Sequence, residues 1–343
     1  MKMKIFITTV LLIALAMPGF AGDPSRKGTS GADYLLIPVG ARGIATGQAF
    51  ISSVSGAEAI FYNPAGLDVT GRTEAMFSQM QYIADINVAY FAVSSQVSGI
   101  GTIGLSYKSV DWGDITQTTV DDPDGLSGTT WSPGQSVIGL SYSKVITDRV
   151  SMGVNVKLIN ETMMNATASG VALDFGVQYR FAEGITIGAA AMNIGSNMQY
   201  AGSDLQVKTD VPGSQSGSTL GSYEAVTEPF QIPSYFELSL GYNYKLDPNN
   251  TLNVGGTFIN NNTFEDAYKF GLEYGFMSTF FVRGGYQLLS ENNDNALYTY
   301  TAGAGVNYSF DGGVGIAFDY AYRAVSEEAL GQNHIFTVKL FFE

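Results

Sequence analysis

From about residue 72 to the end of the chain, apolar residues alternate one by one with small or polar residues, the period-2 signature of β-strands. Val314, Ile316, Phe318, Tyr320 and Tyr322 share one face, against Gly315, Ala317, Asp319, Ala321 and Arg323 on the other. The pattern recurs with Phe236, Leu238, Leu240, Tyr242 and Tyr244, and with Val171, Leu173, Phe175, Val177 and Tyr179. It predicts fourteen strands, near 72–81, 86–97, 100–112, 134–146, 149–160, 167–181, 185–194, 230–246, 251–260, 266–276, 279–290, 296–310, 313–324 and 333–342. An even count suits a single-chain bacterial outer-membrane barrel. The expected class is all-β, a transmembrane antiparallel β-barrel of about 14 strands.

The connections test this independently. After each even-numbered strand the predicted turn is short, as at Ser98-Gly99, Thr147-Asp148, Met277-Ser278 and Asp311-Gly312. After the odd strands the connections are mostly longer, above all Gly113–Pro133 and Gly195–Glu228. Short turns belong on the periplasmic side and long loops outside. Asp114, Asp121, Asp122, Asp124, Asp204, Asp210, Glu224 and Glu228 lie in the two long loops, with Lys208 opposing them, so the outer rim should be negative.

Composition explains which side of each strand meets water. Charged residues make up 14% of 343, where soluble domains carry about 25%. A sandwich or propeller would turn its polar faces to solvent, yet these are built from Gly, Ala, Ser, Thr and Asn with few charges, which suits an enclosed lumen. The net charge of −14 excludes nucleic acid as a partner. With no Cys and a single His, His334 near the outer rim, there is no set of residues for a thiol nucleophile, a base or a metal cluster, so neither catalysis nor a cofactor is expected. Met1-Lys2-Met3-Lys4, the apolar run Ile5–Met17 and Gly19-Phe20-Ala21 read as a signal peptide over 1–21 cleaved after Ala21. Export to the outer membrane follows, with lipid as the first partner.

Residues 28–71 break the strand pattern. Gly28-Thr29-Ser30-Gly31-Ala32-Asp33-Tyr34-Leu35-Leu36-Ile37-Pro38-Val39-Gly40-Ala41-Arg42-Gly43 leads through Gly47-Gln48-Ala49-Phe50 to Ala57-Glu58-Ala59-Ile60-Phe61-Tyr62-Asn63-Pro64-Ala65-Gly66-Leu67. This stretch resembles the N-terminal region of the PorV/PorQ family, within the wider FadL-like group of fourteen-stranded outer-membrane proteins. The ending Phe336-Thr337-Val338-Lys339-Leu340-Phe341-Phe342-Glu343 is similar to the C-terminal signal of outer-membrane assembly, although Glu343 replaces a final aromatic. The resemblance implies that residues 22–71 form a hatch inside a barrel of residues 72–343. It implies a non-enzymatic component or accessory of type IX protein secretion, whose partners would be secreted cargo or secretion proteins. The alternative is a FadL-like transporter of a hydrophobic, fatty-acid-like molecule.

Carried over, Arg42, Asn63, Pro64, Ala65 and Gly66 are hatch residues. Pro64 fixes φ, Asn63 can bond its own backbone two residues on, and Gly66 permits positive φ. A buried Arg42 would need a carboxylate, and Asp174, Glu237, Glu273 and Asp319 are candidates by strand parity. The same parity places Arg180, Lys245, Lys269, Arg283 and Arg323 in the lumen. Gly139, Gly153, Gly176, Gly188, Gly241, Gly255, Gly271, Gly285, Gly303, Gly305 and Gly315 also face inward, a belt of missing side chains that would make room for the hatch. Pro229 and Pro233, at the start of the eighth predicted strand, are the candidate strand break for a lateral exit.

Overall fold

The computed structural model describes residues 28–213, 215, 217, 219–290, 293 and 296–342; the predicted signal peptide over 1–21 lies outside them. Fourteen strands form the wall. The first seven are β1 (Thr73–Gln81), β2 (Asn87–Val97), β3 (Gly101–Asp111), β4 (Gly134–Thr147), β5 (Val150–Met163), β6 (Ala166–Arg180) and β7 (Ile185–Gly195). The second seven are β8 (Tyr235–Lys245), β9 (Thr251–Asn261), β10 (Ala267–Phe276), β11 (Phe280–Leu289), β12 (Tyr298–Ser309), β13 (Val314–Val325) and β14 (Asn333–Phe342). Each pairs antiparallel with its sequence neighbours, and β14 closes on β1 in register from Thr73↔Phe342 to Gln81↔His334. A short additional strand, Tyr200–Gly202, folds back onto the outer end of β6 at Ala166–Ala168.

Alternation decides the two faces. Phe236, Leu238, Leu240, Tyr242 and Tyr244 are exposed on the outer surface, while Glu237 and Ser239 are buried inside. Phe91, Leu105, Leu140, Phe270, Phe318 and Phe336 extend the exposed apolar surface around the barrel. Such a surface is stable against lipid and unfavourable in water. The described residues contain no helix long and apolar enough to cross a membrane.

Two-residue connections at the short-turn end need left-handed backbone, and Met277 and Ser278 both take φ of 54° there. At the opposite end the loops are long, with one departure from expectation. β5 and β6 each run further than the alternation indicates and meet across Met164-Asn165.

The eighth strand also departs from the reading. It starts at Tyr235, so neither Pro229 nor Pro233 interrupts a wall strand. Prolines cannot donate to a ladder, and the chain around them does other work: Phe230 bridges to Met198, and Gln231 runs parallel to Ser30. Register shifts in the wall fall elsewhere, between Val145 and Thr147, between Tyr298 and Thr301, and on β6 between Leu173 and Phe175, where Asn193 of β7 takes φ of 56°.

Candidate functional site

The segment before β1 runs down the inside of the barrel. It opens with Gly31 N–H donating to Gln231 O at the long-loop end and reaches Asp68, which accepts from Thr102 and from Val145 N–H near the short-turn end. Between these points it forms turns and two short helices, α1 (Ala41–Ala45) and α2 (Ala59–Tyr62). Small side chains let it fit: Ala41, Ala45, Ala49, Ala57, Ala59 and Ala65 are each 0% exposed. The Asn63-Pro64 step starts the last turn. Asn63 is extended, as a residue before proline prefers, and its Oδ1 accepts the Ala65 N–H at 3.1 Å.

Polar contacts fasten this segment to many strands. Asn63 Nδ2 donates to Ile51 O at 3.1 Å and to Val177 O at 3.3 Å. Ser143 Oγ donates to Ala65 O at 3.0 Å, and Ala41 N–H donates to Thr337 at 2.8 Å. Gln178 Nε2 donates to the carbonyls of Ile51 and Val54, and Thr301 Oγ1 to that of Ala45. Lys108 Nζ holds the carbonyls of Tyr34 and Ile37, with the Phe61 ring 5.0 Å away.

Four cations and four carboxylates interlock toward the short-turn end. Arg42 pairs with Glu273, and Arg283 bridges Glu273 and Asp319 at 2.6 Å each. Lys339 pairs with Glu58, and Arg72 pairs with Glu74 at 2.8 Å. Burial pushes the Glu58 carboxyl up, but Lys339 and Arg42 outweigh it, and the group stays below the usual carboxylate range. Glu58 and Glu74 also accept the backbone N–H groups of Gly43 and Ala57, so each ties the inserted chain to the wall.

The inward glycines divide into two groups. A Cβ on Gly153 would meet Pro64 at 2.3 Å, on Gly271 Thr46 O at 2.3 Å, on Gly285 Gly47 N at 2.2 Å and on Gly188 Ser52 at 2.5 Å. Gly176, Gly255 and Gly303 face Asn63, Phe50 and Ala45 in the same way, while Gly241 meets Thr186 first and Ser52 next. Gly139, Gly305 and Gly315 do not face the inserted chain; their space is filled by Ser106, by Asp319 with Arg283, and by the Phe341 ring. Gly104, which the sequence reading passes over, lies against Ile60 and Leu67. Gly66 has no positive φ. Its reason is contact, because a Cβ would fall 2.0 Å from Val54 O.

The predicted lumen charges also divide. Asp174, Glu237, Lys269, Glu273, Arg283, Asp319 and Arg323 are buried. Lys245 is exposed and Arg180 half-buried, both near the short-turn rim, because alternation gives the face of a residue and not its height. Lys108 and Lys157, buried on inward positions of β3 and β5, were legible by the same parity. Lys157 pairs with Asp174 at 2.8 Å. His334 is half-buried; its Nδ1 meets the Tyr320 hydroxyl at 2.9 Å, amid Tyr320 and Tyr322 rings.

Above the inserted chain, toward the long loops, lies a cavity of about 470 Å³. Leu36, Ile37 and Pro38 form its floor, and Tyr82, Tyr235, Ile259, Leu289 and Tyr298 are among its walls. Asp33, Glu237, Glu265, Lys269 and Arg323 line it as well. Beside it, β11 and β12 pair only from Phe280↔Val306 to Tyr286↔Tyr300, so Gln287–Leu289 have no ladder to β12. The described residues hold no group of three or more metal-ligating side chains.

No family model matches the chain, and no curated protein matches its sequence. Solved structures match its fold. The CymD monoaromatic hydrocarbon channel superposes with a TM-score of 0.57 at 11% identity, covering 90% of this chain and 98% of that one. A FadL homologue of Pseudomonas aeruginosa gives 0.54 at 12% identity, with 89% and 98% covered. The toluene transporter TodX of Pseudomonas putida gives 0.54 at 13%, with 89% and 96% covered. At such identities the likeness is one of fold, and the narrower resemblance to PorV/PorQ proteins rests on the leader motif. The chain has the closed fourteen-stranded, FadL-like barrel fold.

Proposed function

We propose that this protein is a non-enzymatic outer-membrane channel for a small hydrophobic or amphipathic molecule, with residues 28–72 acting as its hatch. The outer cavity carries the reading: about 470 Å³ of space lined by apolar and a few polar groups and floored by the inserted chain is the size and chemistry of a small-molecule site. The solved channels of the same fold are named for hydrocarbons and toluene, which favours the same class of cargo. The outer end of β11, paired with β10 but not with β12, lies beside the cavity and offers a sideways route to the lipid, because passage between β11 and β12 there breaks no ladder.

The secretion-accessory reading draws on the leader motif alone. It would place recognition on the long loops 112–133 and 196–234, and the cavity would then have no task. Proteoliposomes containing the full mature protein should take up toluene and 3-phenylpropanoate faster than protein-free liposomes, without a steady ion conductance. Uptake equal to that of empty liposomes, together with secreted proteins co-purifying from the outer membrane, would reverse the order of the two readings.

A further inference from the structure

Five charged residues line the outer cavity, Asp33, Glu237, Glu265, Lys269 and Arg323, and three of them, Glu237, Lys269 and Arg323, are incompletely partnered. Glu237, Lys269 and Arg323 are 4%, 7% and 6% exposed. Glu237 and Lys269 attract each other electrostatically, but among the described residues the Glu237 carboxylate makes no hydrogen bond or close ion pair, and the one hydrogen bond of Lys269 Nζ is to the neutral Gln48 Oε1, at 3.0 Å. The Arg323 guanidinium lies 3.3 Å from the Tyr298 ring centroid and forms no ion pair, and its Nη1 is buried without an acceptor among the described residues. Other buried lumen charges are matched by opposite charge, as Arg283 is by Glu273 and Asp319 and Lys157 by Asp174, while Lys108 is held by the Tyr34 and Ile37 carbonyls and Glu161 by the Tyr200 hydroxyl. Glu237, Lys269 and Arg323 thus bring three incompletely partnered charges together on the lining of one cavity of about 470 Å³.

We propose that this cavity binds a compact amphiphile bearing both an anionic group and a hydrogen-bond donor. The anion lies against Arg323 and Lys269, the donor faces Glu237, and the apolar body rests on Leu36, Ile37 and Pro38. The reason is desolvation. A ligand that displaces water from a buried charge without replacing its hydrogen bonds is penalised for each group left bare. A hydrocarbon leaves all three bare, and a simple anion leaves Glu237. A molecule with both functions satisfies the set, so the cargo differs in class from the hydrocarbons for which the solved channels are named. This assignment rests on the channel reading for its purpose, while the order of affinities is measured apart from it.

The test is calorimetric titration of the full mature protein with three probes of one scaffold: ethylbenzene, 3-phenylpropanoate and 3-[4-(aminomethyl)phenyl]propanoate. The third should bind at least tenfold tighter than the second, and the second tighter than the first. Arg323→Met should weaken both anions at least tenfold and leave ethylbenzene unchanged. Glu237→Gln should abolish only the advantage of the third probe over the second. Slower migration after heating in gel electrophoresis checks that each variant is a folded barrel, and Lys269→Met serves in place of Arg323→Met should that one not fold. Ethylbenzene binding tightest, or Arg323→Met and Lys269→Met leaving anion affinity intact, overturns the proposal. Flux in proteoliposomes separates the two levels: the expected affinity order without flux sinks the channel reading alone, and ethylbenzene flux without any preference for the amphiphile sinks this assignment alone.

Discussion

Arg42 of the inserted chain and Glu273 of β10 are joined by two hydrogen bonds of 3.0 Å, Nε to Oε2 and Nη2 to Oε1. The Glu273 side chain is 1% exposed and also accepts Arg283 Nε at 2.6 Å and Asn253 Nδ2 at 2.9 Å. A planar fork against a carboxylate fixes orientation as well as energy. The Arg42 side chain keeps 35% exposure, so solvent screens part of the gain. Arg42→Gln should cost about 1–3 kcal/mol. Glu273→Gln should cost more, about 3–5 kcal/mol, because it takes the carboxylate from Arg42 and leaves Arg283 with Asp319 alone. Denaturant unfolding of the four proteins of a double-mutant cycle measures the coupling; a value near zero would mean that Arg42 holds nothing in place.

Replacing inward glycines by leucine should separate two roles. Gly153→Leu and Gly271→Leu place side-chain atoms onto the backbone of the inserted chain, at Pro64 and Thr46. Protease cleavage between residues 28 and 72 should rise by an order of magnitude, since a displaced segment loses its protection. Gly284→Leu is the control, because the nearest atom to its added Cβ is Thr301 O at 3.9 Å. Equal cleavage in all three variants would show that glycine serves strand coiling and nothing more.

How far sequence reaches is clear from these positions. Strand faces were legible because lipid imposes a strict rule: one residue out of step would turn Leu238 or Phe318 into the lumen and Glu237 or Asp319 into the bilayer. The inserted chain obeys no such period. Its residues are buried on all sides by a wall contributed from hundreds of positions away, so its turns follow from Gly40, Gly47 and Asn63-Pro64 only locally, and its path does not. Arg42 could be matched to a list of carboxylates, but selecting Glu273 required the height of each strand. Gly139 and Gly315 show the same limit, since an inward vacancy can be filled by Ser106 or Phe341 of the wall itself. The cavity was the least legible feature, because its volume arises where the inserted chain stops filling the lumen.

The acidic outer loops respond to pH through a specific group. Asp122 accepts Ser127 N–H and Leu126 N–H at 2.8 Å each. These bonds, with Ser127 contributing most, hold its carboxyl below the ordinary 3.8. A depressed folded-state value means that the contact is complete at neutral pH and is lost as pH falls through that value, below 3.8. Amide hydrogen exchange at Leu126 and Ser127 should therefore stay protected at pH 5 and quicken only in stronger acid. Asp122→Ala should remove the protection at every pH, and unchanged exchange would rule out the cap.

Asn193 offers the sharpest separation of backbone from side-chain effects. It sits in the β7 irregularity at φ of 56° and is 1% exposed. Its N–H donates to Asp174 Oδ1 at 2.8 Å, its Oδ1 accepts Lys157 Nζ at 2.7 Å, and its Nδ2 donates to Pro233 O at 3.1 Å. One amide thus links the Lys157–Asp174 pair to the chain just ahead of β8, where Tyr235 begins to wall the cavity. Asn193→Gly keeps the left-handed backbone at no steric cost and loses both side-chain bonds, a loss of about 1–3 kcal/mol. Asn193→Ala loses the same bonds and adds the left-handed penalty of about 1–2 kcal/mol. Thermal unfolding should therefore rank wild type above glycine and glycine above alanine. Equal stability of the two variants would mean that the turn relaxes when the amide is gone. The irregularity would then be held open by the Lys157, Asp174 and Pro233 contacts rather than by its own backbone.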